Sequence, residues 1–197
     1  TPTTELYTLS LHDALPILVA YLVLTTSYSF FLKKIFIIDI ILLSILYTIR
    51  LIAGALAVDV PASPWLLEFS VFIFLSLAIV KRYTELLTIQ NENKNKTKGR
   101  GYFVDDISIL VTLGTVSGYL SVLVFVLYLH SPEVDVLYKS PELLWIVAIC
   151  LLYWITRIWF LAHRGKMHDD PIVFTAKDKT SYFIGLIVLI LVIGATL

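Results

Sequence analysis

The sequence predicts an all-α fold, a polytopic bundle of membrane-spanning helices, and three observations predict it. Of 197 residues, 58% are hydrophobic and only 15% are charged, against about 25% charged in a soluble domain. The mean hydropathy is +0.88. The apolar residues fall in long recurring runs, several near the roughly 20 residues a helix needs to cross a bilayer. The partner this composition demands is the lipid bilayer. A formal net charge of zero gives no ground for a nucleic-acid partner. The single cysteine, Cys150, lies within an apolar run, cannot form an intrachain disulfide, and is expected to pack as a small hydrophobe.

Six apolar segments are expected as helices, over 18–32, 36–58, 65–87, 106–129, 142–163 and 180–197. The first, "LVAYLVLTTSYSFFL", is short for a span, and the last ends with the sequence. Between the second and third, "VDVPASPW" places Pro61 and Pro64 as a helix stop and restart. "NENKNKTKGRGYF" reads as a hydrophilic loop, and "HSPEVDVLYKSPE" as a polar connection with room for an interfacial helix.

Lysine and arginine set the orientation. Alternating the loops between sides puts Lys33, Lys34, Lys81, Arg82, Lys94, Lys96, Lys98, Arg100, Arg164, Lys166, Lys177 and Lys179 on one face. The other face has Lys139 alone, beside Asp59, Glu68, Glu133, Asp135 and Glu142. The expectation is a multi-pass protein of the cell membrane with its basic loops cytoplasmic and its C-terminus outside. Most of those charges need only a topological role.

Residues 1–17 are expected to be foreign. A signal peptide wants a basic start and an unbroken apolar core, and Glu5, His12 and Asp13 argue against one. Read in one frame, every residue of "YTLSLHDALPI", Tyr7 to Ile17, corresponds to a codon of a common short-read sequencing adapter. The native sequence is then expected to resume near Leu18, inside something longer, which makes 18–197 the C-terminal part of a transmembrane domain.

Ionisable groups at membrane depth cost roughly 2.5–3.5 kcal/mol on insertion scales and mark function by default. Arg50 in "LYTIRLIAGA" and Arg157 in "YWITRIWFLAHRG" are two. Tyr47, Arg50 and Gly54 share a helix face, and Gly54 between alanines is expected to admit a close neighbour. Arg50 is read as functional, deep and without a carboxylate in its own helix. For Arg157, nearer a helix end, snorkelling stands beside function. The basic helix ends add Tyr28, Lys33 and Asp39, then Lys81 and Glu85 as an i, i+4 pair, and Asp105 and Asp106 as helix caps. The last connection adds His163, His168, Asp169, Asp170 and Asp178, with Asp178 again in capping position. Carboxylates, lysines and arginines gathered at one end of an apolar bundle suit a phosphorylated, water-soluble co-substrate with a divalent cation, opposite a lipid tail. No Gly-rich phosphate loop, CxxC or HExxH occurs, so nucleotide hydrolysis and zinc chemistry lack local support.

The ordered motifs "YSFFLKK", "YTIRLIAGALA", "PASPWLL", "KRYTEL" and "DDPIVFTAKDK" resemble the UbiA superfamily of intramembrane prenyltransferases. The branch most similar is that of decaprenyl-phosphate phosphoribosyltransferase. The resemblance implies a nine-helix bundle whose last six helices are these. It also implies a Mg²⁺ cofactor held by an N-D-x-x-D-x-x-x-D motif, which this chain lacks, so its metal ligands are unknown and the chain as given is expected to be inactive. Tyr28 and Lys33 match the tyrosine–lysine motif of the family. Lys81, Arg82 and Glu85 stand where the aromatic prenyltransferases carry their second aspartate-rich motif, a departure that favours the phosphoribosyl branch. The implied reaction moves a phosphoribosyl group from phosphoribosyl pyrophosphate to a polyprenyl phosphate. Lys33, Arg50 and Lys81 would contact phosphates, and Glu85 would orient Lys81 or a metal-bound water. Tyr28 would donate a hydrogen bond, and Arg82, Arg157 and Asp178 would complete the substrate-binding set. Two alternatives stay open: joining a polyprenyl diphosphate to an aromatic or other small acceptor, and a non-enzymatic lipid-phosphate carrier or scaffold.

Overall fold

The apolar runs fold as helices throughout a computed structural model that describes residues 2–58, 60–92, 100–167 and 170–197, with the side chains of residues 2–14 outside the description. Asp59, Lys94, Lys96, Lys98, His168 and Asp169 therefore lie outside the described residues, as do the side chains of Glu5, His12 and Asp13. The helices are α1 (Pro2–Phe30), α2 (Ile38–Ala57), α3 (Pro64–Asn91), α4 (Ile107–Tyr128), α5 (Pro132–Leu137), α6 (Leu143–His163), α7 (Pro171–Thr175) and α8 (Lys179–Thr196). Among the described residues, α2, α3, α4 with its preceding 3-10 turn, α6 and α8 are long and apolar enough to cross a membrane, five where six were expected. The first expected segment, 18–32, forms a shorter apolar stretch, Leu15–Phe30, at the end of α1, and helix also covers the preceding residues.

Boundaries follow local chemistry. Pro64 sits in the first turn of α3, where its missing N–H is no loss, and Pro132 does the same for the short helix α5. Asp178 caps α8 through the Ser181 amide, 2.8 Å away, and Asp106 accepts from the Phe103 amide at 2.8 Å, the capping roles expected of both.

Buried faces hold the bundle together. On α3, Ile79, Tyr83 and Leu86 are at most 2% exposed; their i, i+4, i+7 spacing makes one stripe, which packs with Leu110 of α4 and Ile155, Ile158 and Trp159 of α6. Gly114 and Gly118 let α4 approach this closely. A Cβ at Gly114 would lie 2.2 Å from Trp159 Cζ2, and one at Gly118 would lie 2.7 Å from Ile155 Cγ2. Close approach thus falls at this G-x-x-x-G pair. Gly54, where it was expected, has nothing within 4 Å of its Cβ position. Ser76 locks the junction, donating to the Gly114 carbonyl (2.7 Å) and accepting from Trp159 Nε1 (3.1 Å). At the far end, the Lys139 and Ser140 amides both donate to the Ala195 carbonyl, 2.8 and 3.1 Å away.

Candidate functional site

The charged ends of α1, α2 and α3 meet on Arg82. The guanidinium is 1% exposed and faces Asp39, which is 0% exposed. Arg82 Nε donates to Asp39 Oδ2, and Nη2 donates to Asp39 Oδ1 at 3.1 Å, a two-point match of planar groups. Nη1 donates to Glu85 at 2.8 Å, and Nη2 also reaches the Tyr28 hydroxyl at 3.1 Å. Tyr28 donates its one proton to Asp39 Oδ1 at 2.7 Å. Arg100, from the segment before α4, closes the network on Glu85. A buried ion pair is tolerated when its remaining donors and acceptors find partners, and here Glu85 and Tyr28 take further bonds from the guanidinium.

This corrects two expectations. Glu85 does not pair with Lys81 but turns to Arg82 and Arg100, since two guanidinium groups converge on its side of α3. Tyr28 is not free to donate to a ligand in this arrangement, because a phenol has one proton and Asp39 takes it. Asp39, named among the helix-end charges but given no role from the sequence, is the buried partner of Arg82. An acid in a first helical turn reads as a dipole partner; the available signal was its i, i+3, i+7 spacing with Leu42 and Leu46, both buried.

The segment after Arg100 shapes the turn carrying Lys33. A Cβ at Gly101 would meet the Lys34 carbonyl oxygen and the Phe36 amide nitrogen, both at 3.2 Å, and Tyr102 packs edge-on against Phe36 with ring centres 5.2 Å apart. Burial, then the charge of Asp39, pushes the Tyr102 phenol up to about 12, so it stays neutral. Ile37, next in the chain, has φ +67°, a conformation that costs a branched residue about 1–3 kcal/mol. Lys33 itself is half-buried in its 3-10 turn and forms no ion pair among the described residues.

Lys81 points away from Arg82 and pairs with Asp170, whose other oxygen caps α7 through the Ile172 amide at 3.0 Å. Tyr47 lines the same crevice. Its ring lies 4.9 Å from the Arg50 guanidinium, with Tyr21 at 5.4 Å on α1, and Arg50 Nε donates to the Tyr21 hydroxyl at 2.8 Å. Two aromatic faces are a favourable setting for a cation in a dry medium. Arg50 lies just over three turns into α2, roughly 18 Å along its axis, and is exposed on the chain. A carboxylate does share its helix, contrary to expectation, but that carboxylate, Asp39, is committed to Arg82.

Arg157 and Asp178 form a bidentate pair at 2.6 and 3.0 Å that joins α6 to the start of α8. The Arg157 hydrogen bond is the main reason the Asp178 carboxyl is held down to about 2, with Ser181 adding two more donors. Among the described residues neither lines the Lys81 crevice. His163 Nδ1 and the Tyr83 hydroxyl share a hydrogen bond at 2.9 Å.

Asp39, Glu85, Asp170 and Asp178 are thus each committed to a cation, and among the described residues no three His, Cys, Asp or Glu side chains gather as a metal site. The described donor set does not fit a resident Mg²⁺. An apolar cavity of about 380 Å³, lined by Trp65, Phe69, Phe125 and Tyr128 among others, has no charged group in its lining.

Comparison with known proteins agrees with a membrane protein related to a transferase. The chain is 39% identical over 169 residues to an uncharacterised protein, y4nM, of Sinorhizobium fredii, covering 85% of this chain and 33% of that protein. It is 32% identical over 165 residues to the nodulation protein NoeC of Azorhizobium caulinodans, covering 82% of this chain and 53% of NoeC. A shorter match, 39% identity over 70 residues, joins it to decaprenyl-phosphate phosphoribosyltransferase of Mycobacterium tuberculosis, covering 36% of this chain and 23% of the enzyme. The chain thus spans about a third to a half of the length of the first two. No family model matches it.

Proposed function

We propose that the chain belongs to a membrane transferase that moves a phosphoribosyl group from phosphoribosyl pyrophosphate to a polyprenyl phosphate, with the end bearing Lys33 and Lys81 facing the cytoplasm. The observation that carries the reading is Lys81 in one crevice with Tyr47, whose ring carries Arg50, in a chain with a partial match to a decaprenyl-phosphate phosphoribosyltransferase. In this reading residues 1–17 take no part.

The lipid phosphate oxygen attacks ribose C1 as pyrophosphate leaves. The attacking oxygen is already anionic, so no strong general base is required, and the protein's work is positioning and charge stabilisation. Lys33, Lys81 and Arg50 contact the phosphates. Asp39, Arg82, Tyr28 and Glu85 act as positioning residues, fixing α1, α2 and α3 relative to one another. Arg157 and Asp178 fix α8 against α6. Mg²⁺ belongs in this proposal to the diphosphate, with no ligand assigned in this chain.

The test uses membranes from cells expressing the source reading frame, supplied with Mg²⁺, polyprenyl phosphate and labelled phosphoribosyl pyrophosphate. Label enters the organic phase with the native protein and not with Lys81→Ala, which remains inserted and folded. Full transfer by that variant refutes the assignment of Lys81.

A further inference from the structure

Asp170 is a carboxylate that the proposed chemistry does not use, yet it holds the ammonium that chemistry needs. We propose that Asp170 is an intramolecular competitor for Lys81: it occupies the ammonium when no ligand is bound, and takes it back from the departing diphosphate. The inference rests on the phosphate-binding reading of Lys81 given above.

The geometry carries it in three steps. The two oxygens of Asp170 have separate tasks. Oδ1 accepts the Ile172 amide and caps α7, while Oδ2 faces Lys81. Losing the second contact leaves the first intact, so a ligand can displace Asp170 from Lys81 without unfolding the helix start. The cap and the fully buried Pro171 beside it keep the carboxylate close, and a tethered group competes at a high effective concentration. Finally, the pair is open to exchange: the Lys81 and Asp170 side chains are 37% and 24% exposed, so a water-borne anion reaches them and the bond between them is weak. Tyr47, which carries Arg50 on its ring, lines the same crevice as Lys81 and Asp170. Once the leaving group begins to dissociate, the tethered carboxylate recaptures Lys81 and speeds its loss.

The experiment places the chain in nanodiscs of neutral phosphatidylcholine and measures binding and release of radiolabelled inorganic diphosphate. Asp170→Asn keeps an oxygen for the Ile172 amide and removes the charge. It is expected to tighten binding about fivefold, mostly through slower release. In a Lys81→Ala background the same substitution is expected to change nothing, which a merely structural role for Asp170 would not produce. If Lys81→Ala weakens binding and Asp170→Asn fails to tighten it, this inference alone is overturned. Should Lys81→Ala bind diphosphate as well as the unmodified chain, the phosphate-binding reading falls and takes this one with it.

Discussion

Substituting Asp39 by alanine strands the buried guanidinium of Arg82. Arg82 would keep Glu85 and Tyr28 as partners but lose both bonds to Asp39, from Nε and Nη2. With the two side chains 1% and 0% exposed, water does not replace the carboxylate. Breaking a buried pair from one side costs about 3–5 kcal/mol, and Arg82→Met should cost a similar amount by stranding Asp39. The double variant has no unpaired buried charge between these positions, so its loss should fall short of the sum of the singles by about 3 kcal/mol. Reversible unfolding in mixed bicelles with added dodecyl sulfate, followed by helical circular dichroism, gives all four stabilities. Single losses below about 1 kcal/mol that simply add would refute a buried, mutually dependent pair.

Further expectations use the same physics. Gly114→Ala drives a Cβ into the Trp159 ring, which is itself held by Ser76, and should cost about 1–3 kcal/mol; Gly54→Ala meets nothing and should leave the same unfolding curve unchanged or more stable. The folded Asp178 carboxyl, at about 2, lies below its unfolded value of about 3.9. The stability it contributes is therefore fully present above about pH 4 and is lost as pH falls through about 2, and an acid titration of Asp178→Asn should lack that component. Lys33→Ala should abolish label transfer with insertion and helix content intact, and retained transfer would remove Lys33 from the phosphate-contact set.

The helices were legible because membrane insertion imposes one rule on every residue. Runs of apolar side chains with proline at the breaks placed α2, α3, α4, α6 and α8 to within a few residues, and the short first run emerged as the short apolar part of α1. Pairings were less legible, because a charge at a helix end has several partners within reach in sequence and the fold chooses among them. Lys81 and Glu85 had the spacing of a helical pair, yet each found a partner from another element. Arg157 was left between snorkelling and function, and a bidentate bond 21 positions away settles its local partner. Gly54 and the pair Gly114 and Gly118 all sat in apolar helices; only tertiary contact distinguishes a glycine that admits an indole from one that faces no neighbour.

The measurement that bears most directly on the central claim is a donor and acceptor swap in membranes carrying the protein. One arm supplies polyprenyl phosphate with labelled phosphoribosyl pyrophosphate; the other supplies polyprenyl diphosphate with a labelled aromatic acceptor. The account predicts lipid-soluble label in the first arm alone. Label in the second arm alone would contradict it and identify an ordinary prenyltransferase, and label in neither arm would point to a carrier or scaffold.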